Sequence, residues 1–291
     1  MGRSMLRPYK ENRAAVKSCL IVDLGLIGYA EAYALQKRVV VARKADAIGD
    51  VLLLCEHTPV ITQGRNGRRE NLLVSENVLR QRNVEFFETS RGGDVTYHGP
   101  GQLVGYPILH LGAIRKDVVW YVRMLEEVMI RASAEFGICA VREAGKTGIW
   151  VGLRSQTEEG FLSPQADRFT GSEPEEQKRR LASLEMTVCS GVAEKLGAIG
   201  VHISRWVTSH GFAYNVATDL RNFDLIVPCG IAGRKATSLE KLLGRAVKVS
   251  DVAPKMARHF GDVFGLEMTA GSREELFEKL DFAERLVAVP A

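Results

Sequence analysis

The chain has 291 residues, 39 Lys and Arg against 35 Asp and Glu, and a formal net charge of +4. Its 46% hydrophobic and 25% charged residues are ordinary globular values, which excludes disordered, collagen-like and fibrous classes. The charge surplus is too small to mark a nucleic-acid binder, although clustered basic residues still suit an acidic partner.

A helix is expected from Ile27 to about Arg43, with Val39-Val40-Val41 weakening its end. Val51 to Cys55 reads as a buried strand, and Val60-Ile61-Thr62 resumes the extended pattern after Pro59. Leu103 to Leu109 reads as another strand, with Pro107 placing it near a sheet edge. Val118, Val122, Leu125, Met129, Ala132 and Phe136 recur at spacings of four and three, which predicts a helix from about Asp117 to Phe136. Asp117 is its expected cap and Gly137 its stop. Ile149-Trp150-Val151, Ala198 to Ile203 and Gly211 to Val216 read as strands. Between them, Leu153 to about Arg180 is polar and poor in large apolar residues, so an inserted surface loop or flap is expected. Ser250 is expected to cap a helix presenting Val252, Met256, Phe260, Val263 and Phe264, and Glu274 to Leu280 to form a last short helix. Irregular alternation without internal repeats predicts α/β or α+β structure around one continuous core.

No apolar run is long enough to span a membrane. Met1 to Lys17 carries charge without an apolar core, so it is not a secretory signal. The five cysteines, Cys19, Cys55, Cys139, Cys189 and Cys229, are widely spaced and form no CxxC pair. A reduced cytoplasmic protein with mostly buried thiols is expected. No histidines have metal-ligand spacing, so no metal is expected.

The most unusual stretch runs from Arg91 to Gln102, with four glycines, a proline, Tyr97 and His98. Such glycines let a ligand approach main-chain N–H groups, and Tyr97 and His98 add directional hydrogen bonds; a plain tight turn is the alternative. Ala144-Gly145-Lys146-Thr147 is like the end of a phosphate-binding loop, but Ala140 stands where that motif needs glycine. Cys229 lies between Pro228 and Gly230 on a constrained turn, where a thiol is either buried structure or a nucleophile. A nucleophile needs a base or cation, and Lys195, Lys146, His98 and His210 are candidates that spacing alone does not separate. His57, His110, His202 and His259 read better as structural histidines.

Together these stretches resemble the octanoyltransferases of lipoate biosynthesis. The resemblance runs from Leu24-Gly25 through Tyr29, Ala32, Leu35 and Gln36, then Glu56 to Thr62 and Gly64-Arg65. It continues with the highly specific run Arg91 to Leu109, then Thr147 to Val151, Lys195 to Val201 and Ser209 to Val216. Pro228-Cys229-Gly230-Ile231 and Thr237-Ser238-Leu239 close it. The resemblance implies an α+β fold with a mixed sheet, a single domain like the biotin/lipoate protein ligase catalytic fold. That domain would span residues 18–270, with a polar insertion at about 152–194 and terminal extensions 1–17 and 271–291.

The implied activity moves an octanoyl group from octanoyl-acyl carrier protein to a lysine of lipoyl domains, through a cysteine acyl-thioester. Acceptors would be the lipoyl domains of 2-oxoacid dehydrogenase complexes and the glycine cleavage H protein, with no cofactor, nucleic acid or membrane involved. The family cysteine falls on Cys229 and its partner lysine on Lys195, with Lys146 as the fallback. The implied substrate-binding residues are Arg91, Gly92, Gly93, Asp94, Val95, Thr96, Tyr97 and His98, with Ala198, Ile199 and Gly200, and Gly211, Phe212 and Ala213. Two features depart from the family: the long stretch between Gly152 and Glu194, a candidate lid or docking loop, and Leu196-Gly197 after the lysine. Arg65-Arg68-Arg69 and Lys178-Arg179-Arg180 are candidate docking surfaces for an acidic carrier. The rival readings are an ATP-dependent lipoate–protein ligase, an octanoyl amidotransferase and a non-catalytic carrier-domain binder.

Overall fold

A computed structural model describes residues 17–152, 193–227 and 235–288. Cys189, Cys229 and its flanking turn, the polar insertion and Lys178-Arg179-Arg180 lie outside the described residues.

The central element is a seven-stranded mixed sheet. In chain order its strands are β1 (Ser18–Ile27), β2 (Asp50–His57), β6 (Gln102–Ile108), β7 (Ile149–Val151), β8 (Glu194–Ser204), β9 (Val207–Asn215) and β10 (Glu267–Gly271). A smaller sheet holds β3 (Val60–Gln63), β4 (Glu85–Glu88) and β5 (Val95–His98). The large sheet is ordered β10-β1-β2-β6-β9-β8-β7, with β1 parallel to both neighbours and the other pairs antiparallel.

The helices are α1 (Tyr29–Lys44), α2 (Glu76–Gln81), α3 (Val118–Ala134), α4 (Leu239–Leu243), α5 (Val249–Phe264) and α6 (Arg273–Ala288). The large sheet is covered on both faces, which explains the unbroken apolar run of β2. Leu52 and Leu54 face a core completed by Leu125 and Met129 of α3 and Met256 and Phe260 of α5. Val51, Leu53 and Cys55 face the opposite core, completed by Leu35 and Val39 of α1 and Leu276 and Leu280 of α6. The result is the expected α+β fold with one large mixed sheet.

Several expectations are corrected in detail. β6 is central, not near an edge, and it carries Pro107 between β2 and β9. The proline is tolerated because the β6–β9 ladder ends at Gly105, and the Pro107 ring instead meets Gly211, which has no side chain to obstruct it. The helix α3 is capped as expected, with the Asp117 carboxylate accepting the Trp120 N–H at 2.9 Å. Its buried face, however, uses Tyr121 and Val128, whereas Val118 is exposed. The cap of α5 is Lys248, whose N–H donates to Asp251, and Ser250 falls inside the first turn. The last helix is longer than expected and packs on α1 and β1. Among the described residues no helix is long and apolar enough to cross a membrane.

Candidate active site

The Arg91–Gln102 stretch is a loop feeding β5, and it is fastened to both sheets. Arg91 is buried, donating from its guanidinium to the Thr62 carbonyl at 2.6 Å and to Thr62 Oγ1 at 2.9 Å. The next residue, Gly92, donates its N–H to the Val201 carbonyl on β8 at 2.9 Å. Gly93 adopts φ +85°, a conformation that side chains disfavour. Gly64 lies so close beneath that a Cβ would sit 2.3 Å from the Gly93 carbonyl. Asp94 closes the loop from the other side, accepting from Val95 N at 2.7 Å and Asn71 Nδ2 at 2.6 Å.

This fastening opens a pocket between the two sheets that is partly open to solvent. Of the residues the sequence singled out, Lys195, Arg91, Gly93, Asp94, Val95, Thr96 and His98 line it, as do Ala198, Ile199, Gly200, Gly211, Phe212 and Ala213. Gly92 supports the wall through its bond to Val201. Tyr97 points away, into the small core beside Ile61 and Leu225, where its hydroxyl accepts from Asn222 at 3.1 Å.

Lys195 sits near the start of β8. Its N–H donates to the Lys235 carbonyl and its carbonyl accepts from Thr237 N, both at 2.9 Å. On its other side Lys195 pairs with Trp150 of β7, and its Nζ lies 5.0 Å from the Trp150 ring centre. Lys146 Nζ lies over the same ring at 5.3 Å but bonds Glu143, and it does not line the pocket.

Tyr29, Val104, Tyr106 and His210 also line the pocket and were not among the expected site residues. His210 was raised only as a possible base. It adopts φ +56° within β9, and Ser90 Oγ lies 3.1 Å from its Nε2. Burial, reinforced by the Arg91 charge, lowers its pKa to about 3. His98 is also held neutral, at about 3, by burial and by His57. Gln102 spends its amide N–H groups on Tyr97 O and Asn215 Oδ1, so its carbonyl accepts from His98 Nδ1 at 2.7 Å. His57 is the structural histidine expected, fully buried with both nitrogens bonded. His259 pairs with Glu135 at the surface of α5. Among the described residues no cluster of His, Cys, Asp or Glu suits a metal ion.

Residues 28–261 match the lipoyl protein ligase A/B catalytic domain. A curated octanoyltransferase from Acidobacterium capsulatum is 47% identical over 254 residues, covering 84% of this chain and 89% of that protein. The chain belongs to the octanoyltransferase family, within the lipoyl protein ligase A/B catalytic domain group. It is an acyltransferase. Another member of the family, from Caldicellulosiruptor bescii, is 42% identical over 259 residues, covering 88% of this chain and 96% of its own. The octanoyltransferase fold extends to more distant structures. The bipartite lipoate protein ligase of Thermoplasma acidophilum superposes with a TM-score of 0.62 at 13% identity, covering 93% of this chain and 92% of that one. A lipoate-protein ligase A bound with ATP gives 0.61 at 13% identity, covering 93% of each chain.

Proposed function

We propose that this octanoyltransferase moves an octanoyl group from octanoyl-acyl carrier protein to a lysine of a lipoyl domain, through a thioester on Cys229. The observation that carries the reading is the convergence of Lys195 with Arg91, Gly93–Thr96, His98, Ala198–Gly200 and Gly211–Ala213 around one pocket. Lys195 is moreover hydrogen-bonded through its main chain to Lys235, six residues along the chain from Cys229.

In the proposed first half-reaction the Lys195 amine accepts the Cys229 thiol proton. The thiolate attacks the donor carbonyl, the bond to the pantetheine sulfur breaks, and Lys195 returns the proton to the departing thiolate. In the second half-reaction the acceptor lysine amine attacks the acyl-enzyme, forming an amide and releasing Cys229, with Lys195 taking the amine proton. No ATP is consumed, because the thioester is already activated. Small side chains at Ala198 and Ala213 leave room for the acyl chain, and Val104, Ile199 and Phe212 supply apolar contact. His98 and His210, held neutral at physiological pH, add no charge beside that chain.

The test is an intact mass after mixing the protein with octanoyl-acyl carrier protein without ATP. The expected result is a hydroxylamine-labile octanoyl adduct that is lost in Cys229→Ala and formed slowly in Lys195→Ala. Activity that appears only with ATP and free octanoate would overturn the reading in favour of a ligase. An adduct that persists in Cys229→Ala would overturn the assignment of the nucleophile.

A further inference from the structure

A carboxylate outside the pocket is placed to control Lys195. Glu126, on α3, has a fully buried side chain. A buried charge is costly unless donors surround it, and Glu126 has three. Its Oε2 accepts from Arg123 at 2.7 Å and Arg142 at 3.2 Å, and its Oε1 accepts from the Gly148 backbone N–H at 3.0 Å. Arg142 is itself fixed, donating also to Glu127 at 2.7 Å and to the Arg123 carbonyl at 3.1 Å.

The Gly148 contact links this cluster to the pocket. Gly148 has φ +105°, and a Cβ there would lie 2.4 Å from the Gly197 carbonyl and 3.0 Å from Lys195 Cε. Its backbone therefore abuts the stem of Lys195. Two residues later Trp150 pairs with Lys195 and lies under its Nζ. The main chain of Lys195 is held from the opposite side by Lys235 and Thr237. What remains to be set is the path of a long, rotamer-rich side chain, and Gly148 and Trp150 bound that path.

We infer that Glu126 is a positioning residue for Lys195, anchoring the turn whose Gly148 backbone and Trp150 ring hold the lysine in place. The inference rests on the reading of Lys195 as the proton acceptor. A glutamine at 126 has one acceptor oxygen where glutamate has two. Either Gly148 or the guanidinium pair then faces an amide N–H, and the turn shifts. Small displacements of an acid–base group carry large rate penalties.

The experiment is single-turnover acylation by octanoyl-acyl carrier protein, followed by intact mass across pH, with thermal unfolding of each variant. Glu126→Gln is expected to acylate about ten- to a hundredfold more slowly, with half-saturation unchanged and its rate–pH profile displaced. Val128→Ala, which removes buried volume from the same helix, is expected to lower the melting temperature while keeping the parental rate and pH profile. Should Glu126→Gln fail to fold, Glu126→Asp keeps the charge while withdrawing the carboxylate from Gly148, and the same slow acylation is expected. A folded variant at 126 with parental rate and pH profile, or with losses matched by Val128→Ala, would overturn the inference while Lys195→Ala remained slow to acylate. Parental acylation by Lys195→Ala would overturn the base assignment and this inference together.

Discussion

The Tyr106 hydroxyl donates to His57 Nε2 across 2.6 Å, completely out of contact with bulk water on the His57 side. The direction is fixed because His57 Nδ1 spends its proton on the Ile27 carbonyl at 3.0 Å. Tyr106→Phe therefore leaves a buried acceptor with only the Cys55 thiol, 3.7 Å away. The expected cost is about 1–2 kcal/mol of stability, read from urea unfolding. An unchanged midpoint would show that another donor replaces the hydroxyl.

Three buried histidines give the protein an acid weakness of predictable sign. Burial is the first cause in each case, and the folded values are about 4 for His57 and about 3 for His98 and His210. Each lies below the usual value of about 6.5, so the unfolded chain binds protons that the folded chain refuses. Stability is therefore full above about pH 6.5 and falls as pH drops toward the folded values. Each neutral histidine contributes up to about 1.4 kcal/mol of loss per pH unit in that window. The melting temperature is expected to fall steadily from pH 7 to pH 5, and His210→Gln to flatten the slope. A melting temperature that rises on acidification would contradict these assignments.

Gly200 is the contact point between β8 and the Arg91 loop. A Cβ there would lie 2.9 Å from the Gly92 carbonyl and 3.0 Å from Arg91 Cδ. The Gly92 carbonyl is itself held, accepting from the Arg91 guanidinium at 3.0 Å, while the Gly92 N–H is bonded to Val201. Gly200→Ala is expected to lift the loop, cut the rate of acyl transfer at least about tenfold, and lower stability by about 1–3 kcal/mol. Parental transfer kinetics would show that the loop tolerates displacement.

How far the structure was legible follows from what each pattern encodes. β2 was readable because both of its faces are buried, so five successive apolar residues have one simple explanation. β4 and β5 carry short, mixed sequences, and only their partner β3 makes them strands. Periodicity located α3 but misjudged its rotation, since Tyr121 reads as easily as surface when only aliphatic residues are counted. The pocket residues in the Arg91 loop were visible because glycines cluster there for a reason beyond turning. Tyr29 and Tyr106 were not, because a tyrosine in a helix or strand reads as core until the cavity beside it is known. Nothing in the residue type at position 210 announces a left-handed backbone inside a strand.

Basic residues near the pocket loop separate into two groups, of which the sequence singled out only Arg65, Arg68 and Arg69. Arg68 pairs with Glu70, and Arg69 with Glu76, so their charges are largely answered within the protein. Arg65, Lys44 and Arg205 make no ion pair among the described residues, and their fields converge. After burial, Arg65 and Lys44 are what lower the His202 pKa, and Arg205 likewise acts on Lys44. His202 follows Val201, whose carbonyl holds Gly92, and Arg65 N–H bonds the Arg91 carbonyl, so this group borders the pocket loop. Arg65→Glu is expected to raise KM for octanoyl-acyl carrier protein about three- to tenfold at low salt, and Lys44→Glu to add to it. Octanoyl-pantetheine, which has neither an acidic protein nor a phosphate, is expected to react equally well with parent and variants. Raising salt to about 0.5 M is expected to remove most of the difference with the carrier protein. Equal carrier KM values at low salt would place the docking surface elsewhere.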